Sequence, residues 1–164
     1  MTRTLILMRH AKSSWDDYKL ADHDRPLNKR GRRSAKALGE WLARKPWQPD
    51  QALVSNARRT QETFAGLGLS LTADFTRTLY HADATEMQLV LETGTGETVL
   101  MIGHNPGISL FAQDMAATAP EHPKFSDFPT GATVVMEFDI QSWDDVERGT
   151  GKVLDFVIPR ELMA

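Results

Sequence analysis

The sequence contains no cysteine. That absence excludes disulfide staples, thiolate metal sites and a cysteine nucleophile. Long hydrophobic runs are missing too. The longest, Leu5–Met8 and Val99–Ile102, fall far short of the ~20 residues that span a bilayer. Arg3 precedes an apolar run too short for the core of a signal peptide, and no small-residue cleavage site follows it. Neither charge is in large excess: the formal net charge is −3, which gives no global attraction to nucleic acid or to an acidic membrane surface. No internal repeat, low-complexity tract or dividing linker is visible. The expectation is a soluble cytoplasmic protein that engages neither nucleic acid nor membrane.

What is present is an ordinary folding chain. Its 164 residues, 41% hydrophobic and 25% charged, suit one domain spanning 1–164 with a core that needs no staples. Residues 3–8 read as a first strand, and the Asp-, Ser-, Lys- and Pro-rich stretch 11–27 as a long loop of the kind that is often functional. Asn28 caps a helix running to about Lys45, with Ala35, Leu38 and Leu42 on one face and Pro46 and Pro49 beyond its end.

A short strand (51–55) and a helix over about 57–66 follow, the latter closed by Gly66 and Gly68. Residues 73–79 read as a strand and 84–93 as a helix, with Met87, Val90 and Leu91 on one face. The segment 97–103 is a buried strand, and Ile108, Phe111, Ala112 and Met115 make the next helix amphipathic. Two strands, 132–140 and 151–159, close the chain before a plain C-terminal tail. Strands alternating with helices imply one three-layer α/β/α domain with a largely parallel central sheet.

In such sheets ligands bind beyond the carboxyl ends of the strands, so the loops after residues 8, 55 and 103 carry particular weight. The first holds Arg9 and His10. The second, SNARRTQET (55–63), sends Arg58 and Arg59 into a helix N-terminus, where acids are the electrostatically favoured residues. The third, GHNPG (103–107), places His104 in a tight turn before a helix. Taken singly, each feature is ordinary: an Arg-His pair suits a solvated loop, and a histidine after a buried strand is commonly held by structural hydrogen bonds. Together at one sheet edge, two or more arginines, two histidines and helix N-termini surround a space suited to phosphate. Fixed positive charges there lower a histidine pKa and keep a ring nitrogen free near neutral pH.

The blocks LMRHAKSSW (7–15), RPLNKRGRRSA (25–35), SNARRTQET and IGHNPG (102–107), in that order from Leu5 to about Gly107, resemble the histidine phosphatase superfamily with its Arg-His-Gly signature. The compact length and the Gly-His-Asn-Pro-Gly turn are most similar to its SixA-like phosphohistidine phosphatase branch. The resemblance implies that His10 is the nucleophile carrying a transient phosphohistidine and that Arg9 is the adjacent phosphate ligand. In the frame of Ser55, Arg59 and Thr63, it implies that Arg59 binds phosphate, with Arg58 a less definite neighbour. It implies that His104 stabilises charge on the transferring group. Two arginines and an imidazole supply what phosphoryl transfer needs, namely positioning and equatorial charge stabilisation. With no acidic cluster of Mg²⁺-like spacing, neither metal nor cofactor is expected.

Two positions depart from the family pattern. The usual glycine after Arg-His is Ala11, tolerable at negative φ. Where many larger relatives carry a glutamate within an inserted helical lid, this chain has His81, and only about twenty residues separate Leu79 from the central strand. No large lid insertion is therefore expected. His81 is either a general acid or a histidine lining the mouth. Ser13 and Asn105 are candidate substrate-binding residues, Asn105 also being suited to set its turn. Lys12 and Trp15 are either substrate contacts or solvated loop. Asp22 and Asp24 are expected to hold the loop and Arg25, and Trp41 to be covered.

An alkoxide leaving group needs a proton, and a positioned acid contributes ~10²–10⁴-fold; a phosphorylated imidazole leaves with far less help. An open pocket without a carboxylic acid therefore points to phosphohistidine on a phosphotransfer-type partner protein. The alternatives are hydrolysis of a small phosphorylated metabolite (a phosphomonoester or phosphoanhydride) and a non-catalytic phosphate-binding module. Mutase activity, which wants a lid to hold its intermediate from water, fits poorly.

Overall fold

The computed structural model describes residues 1–163. β1 (Arg3–Arg9) leads through the loop 10–28 to α1 (Lys29–Ala43), and β2 (Gln51–Ser55) to α2 (Arg58–Leu67). β3 (Ala73–Thr76) is followed by α3 (Ala84–Glu92), and β4 (Thr98–Gly103) by α4 (Gly107–Met115). β5 (Thr133–Phe138), β6 (Lys152–Val157) and α5 (Pro159–Leu162) complete the chain. The six strands lie in the order β3-β2-β4-β1-β5-β6. β1 to β4 are mutually parallel, and β5 pairs antiparallel with both β1 and β6.

The apolar run of β1 is continuous because both faces of the sheet are covered. Leu5 and Leu7 join a core built with Met87 and Leu91 of α3 and Ile108, Phe111 and Met115 of α4. Ile6 and Met8 face the opposite way, against Leu38, Trp41 and Leu42 of α1 and Leu67 of α2. Strand periodicity thus divides one short sequence between two cores. The outcome is a three-layer α/β/α arrangement. Among the described residues, no helix is long and apolar enough to cross a membrane.

Several local expectations need correction. β3 stops at Thr76, and residues 77–79 form a single 3₁₀ turn. Its partner β2 ends at Ser55 opposite Thr76, so no ladder remains to continue, and the Thr76 hydroxyl accepts from the Thr78 amide instead. Gly66 lies inside α2 rather than closing it. A Cβ there would stand 2.7 Å from that of Ala35, so its bareness sets the approach of α1 to α2, while Gly68 alone is the left-handed cap at φ 69°. The C-terminal stretch is not a plain tail: Pro159 starts the one-turn helix α5, which packs on α1.

The loop after β1 is pinned. Ser13 bridges to Leu27, the Ser14 amide donates to Pro26 O at 2.7 Å, and the Asn28 amide donates to Lys12 O at 2.9 Å. Gly31 permits this closure, because a Cβ there would meet Lys12 O at 2.1 Å. The start of α1 is thereby pressed against the segment that follows His10.

Candidate active site

Register brings the three strand ends together. In adjacent strands Arg9 aligns with Gly103, and Val54 with Ile102, so the residues just beyond them share one edge of the sheet. There a cavity of about 310 Å³ is lined by Arg9, His10, Arg59 and His104, and also by Ser13, Asp22, His81 and Asn105. Trp15, Lys12 and Thr130 complete its wall. His10, Arg9, Arg59, His104, Ser13, His81 and Asn105 thus all border the same space, and Arg58 does not.

His10 is 5% exposed, and its Nδ1 lies 2.7 Å from Ala11 O. A neutral ring bound in this way donates from Nδ1 and keeps the Nε2 lone pair free. Burial, and after it the charges of Arg9 and Arg59, lower the His10 pKa to about 3 against the opposing pull of the Ala11 carbonyl. His104 lies 5.3 Å away, ring centroid to centroid. Its pKa falls to about 2, by burial first and then by the neighbouring His10 and Arg59. Its Nε2 is 2.8 Å from Ser55 Oγ. That oxygen also accepts from the Ala57 amide at 3.3 Å; when its hydroxyl proton is donated to His104 Nε2, the neutral imidazole carries its own proton on Nδ1. His104 Nδ1 is buried with no partner among the described residues.

The segment 55–63 works as one frame. Ser55 orients His104, Arg59 enters the cavity, and the Thr63 hydroxyl accepts from the Ala11 amide at 3.0 Å while donating to Arg59 O at 2.7 Å. Arg58 points away and pairs with Glu62 at 2.9 Å in an exposed contact. Arg9 donates through Nη1 to Phe128 O at 3.2 Å, and its buried Nε has no partner among the described residues. Burial first, and then the Arg59 charge, lower the Arg9 pKa. Asn105 donates to Asp127 O and Phe128 O, so its amide nitrogen ties the loop before β5 to the same edge.

Asp22 departs from expectation. Its carboxylate does not hold Arg25; it accepts from Arg59 Nη2 at 3.0 Å and from the Tyr80 hydroxyl at 2.6 Å. Arg59 Nη1 donates in addition to Asp22 O at 2.7 Å. Partial burial works against ionisation of Asp22, yet the hydrogen bonds from Tyr80 and Arg59 and the Arg59 charge leave its pKa below the usual carboxylate value. Burial first, and then Asp22, push the Tyr80 hydroxyl the other way. Arg25 instead donates to Asp17 O and lies 4.0 Å over the ring of Trp15. Asp22, Tyr80 and Thr130 were not legible as site residues. No spacing separates Asp22 from Asp16, Asp17 or Asp24, and only the 3₁₀ turn Asp22–Asp24 carries it to Arg59. His81 has a positive φ of 59° and a side chain 68% exposed, at the mouth rather than the floor. Among the described residues, no group of three or more His, Asp or Glu side chains has the geometry to hold a metal ion.

The neutral histidines make stability depend on pH. Unfolded, both imidazoles titrate near the ordinary histidine value of 6.5, while folded His10 and His104 stay neutral down to about 3 and about 2. The unfolded chain therefore binds the extra protons in that window. Stability is full above pH ~6.5 and falls on acidification, by at most ~1.4 kcal/mol per pH unit for each histidine. Urea unfolding at pH 7.5, 6 and 5 is expected to show this decline, with a shallower slope in the His10→Gln, His104→Gln double variant. Equal slopes in the two proteins would contradict it.

Comparison with known proteins decides the family. The profile of the histidine phosphatase superfamily (branch 1) matches residues 5–90. The chain belongs to that superfamily. It is a phosphatase, and its fold is that of the SixA-like members. A protein of Nakamurella multipartitia bearing the SixA name shares 27% identity at a TM-score of 0.86, with 97% of each chain covered. The protein histidine phosphatase SixA complexed with tungstate, at 23% identity, TM-score 0.74 and coverage of 97% of this chain and 99% of that one, shares the fold. An uncharacterised protein of Mycobacterium tuberculosis is 34% identical over 160 residues, 93% of this chain and all of its own length.

Proposed function

We propose that the protein hydrolyses phosphohistidine on a partner protein, through a phosphohistidine intermediate on His10 and without a metal. The observation that carries this reading is His10 itself: buried, neutral, with Nδ1 bound to Ala11 O and Nε2 free beside Arg9, Arg59 and His104. The free Nε2 lone pair attacks phosphorus. The bond from phosphorus to the substrate's imidazole breaks, and its electron pair stays on the departing nitrogen. Arg9, Arg59 and the His104 Nδ1–H take up the equatorial oxygens as charge shifts. Water then adds to phosphorus, the electron pair of the His10 bond returns to Nε2, and phosphate leaves with the water's oxygen.

The leaving group follows from what borders the site. The carboxylate lining the cavity, Asp22, is engaged by Arg59 and Tyr80 and has a lowered pKa, which makes it a poor proton donor. An imidazole leaving group protonated from solvent on its other ring nitrogen departs neutral and needs far less help than an alkoxide, which must gain a proton on the oxygen being released. The second reading, hydrolysis of a small phosphorylated metabolite, is supported by the modest cavity of about 310 Å³.

The discriminating experiment presents the enzyme with a histidine phosphotransfer domain phosphorylated on histidine, alongside a panel of sugar and nucleotide phosphates. Turnover of the phosphoprotein with weak ester hydrolysis is expected. Strong turnover of esters alone would overturn the partner-protein reading.

Asp22 gives a further prediction. Its carboxylate competes with phosphate for Arg59 and places a negative charge beside the anion site. Asp22→Asn is expected to lower the inhibition constant for inorganic phosphate about fivefold to tenfold, the scale of one nearby charge at a partly wet site. Steady-state inhibition of aryl phosphate hydrolysis measures it; weaker inhibition by phosphate would show that Asp22 serves mainly to orient Arg59.

A further inference from the structure

Beside the candidate site, and sharing Lys12 and Thr130 with it, lies a second cavity of about 280 Å³. Lys12, Arg30, Lys124 and Arg160 line it, with Asp127 as its acidic member. Lys124 lies 3.9 Å from Asp127; among the described residues, Lys12, Arg30 and Arg160 form no ion pair. These cations come from four separate places in the chain, and the contact of Gly31 with Lys12 O packs two of them together.

The cost of this arrangement is visible in α1. Its first turn holds Lys29 and Arg30, with Arg32 and Arg33 following, and no acidic residue, although a helix N-terminus favours acids. Asp139, Asp145 and Glu147 line a cavity beside Met1, next to the end of β5 that pairs with the start of β1. The cationic shelf lies beyond the other end of β1, a strand length of roughly 20 Å away. A chain of net charge −3 thus turns a positive face outward beside its phosphate site.

We infer that this shelf is the docking surface for an acidic face of the phosphorylated partner protein. The inference rests on the phosphohistidine reading and adds where the partner lands. Charge of this kind steers encounter and register more than it adds contact energy. The cations project from two helices and two loops across an open surface, a spread that suits a protein face rather than one phosphoryl group.

The test uses the triple variant Arg30→Glu, Lys124→Glu, Arg160→Glu, leaving Lys12 in place because it lines the candidate site. The milder Arg30→Gln, Lys124→Gln, Arg160→Gln variant guards against a folding defect. The probes are an acidic histidine phosphotransfer domain phosphorylated with phosphoramidate, and p-nitrophenyl phosphate. The reversal is expected to raise KM for the phosphoprotein about tenfold with kcat unchanged, and the Gln variant to fall between. The wild-type loss of kcat/KM between 50 and 300 mM salt should vanish in the reversal. Kinetics with p-nitrophenyl phosphate should stay as in the wild type.

An unchanged KM for the phosphoprotein overturns the docking surface and leaves the phosphohistidine reading intact. So does an equal rise in KM for a sugar bisphosphate, which would mark an anion subsite for small molecules. If the wild type hydrolyses p-nitrophenyl phosphate but not the phosphoprotein, the reading and the inference fall together.

Discussion

His10→Ala is expected to abolish turnover, lowering kcat by at least ~10⁴-fold, the scale seen when a covalent nucleophile is removed. The position is buried and makes one side-chain hydrogen bond, to the carbonyl of the next residue, so the fold should survive the truncation. The informative measurement is trapping. Wild-type enzyme mixed briefly with labelled substrate should yield an acid-labile, alkali-stable phosphoenzyme, and His10→Ala should yield none. Residual hydrolysis within tenfold of the wild type would refute the covalent route and require direct attack by water at a site organised by Arg9 and Arg59.

The second large effect concerns Arg59. Arg59→Ala is expected to cost about 10³–10⁵-fold in kcat/KM, the range for a guanidinium that meets charge on a transferring phosphoryl group. Arg59→Lys should recover little of it, because one ammonium cannot replace a planar fork already committed on one side to Asp22. Loss of Arg59 also leaves the Asp22 carboxylate facing the phosphate site with Tyr80 as its remaining close donor. The double variant Arg59→Ala, Asp22→Asn should therefore be less impaired than Arg59→Ala alone. Circular dichroism spectra should match across the series, since Arg59 projects from the first turn of α2 and contributes no side-chain atoms to either core. If Arg59→Ala retains near wild-type kcat/KM, phosphate is held elsewhere.

The frame 55–63 shows why part of this site was legible. The resemblance singled out Arg59 through its frame of Ser55, Arg59 and Thr63, whose spacings put a strand end, the first turn of a helix and the next turn in fixed relation. Local geometry then dictates that Arg59 enters the cavity while Arg58, one residue earlier, pairs with Glu62 outside it. His10 and His104 were readable for the same reason, each following a continuous apolar strand buried on both faces.

The misread positions share the opposite property. β3 was given three residues too many because its length was set by where β2 ends, not by its own β-forming residues. Gly66 reads as a stop in sequence because its packing against Ala35 is a contact between two helices, which no spacing within α2 reveals. The last residues read as a tail in sequence because α5 is held by the surface of α1, where Ser34 Oγ donates to Met163 Sδ at 3.7 Å.

From the sequence alone came the α/β class, the strands that carry His10 and His104, and the gathering of arginine and histidine side chains at one sheet edge, because each depends on periodicity and capping over a few neighbouring residues. Tertiary structure alone decided what surrounds that edge. Asp22 reaches Arg59 across 37 residues and Tyr80 reaches Asp22 across 58. The cationic shelf likewise draws on the segment after β1, the start of α1, the loop before β5 and the C-terminal turn. Such partners are chosen by how the helices pack on the sheet, and no local pattern in the chain records that choice.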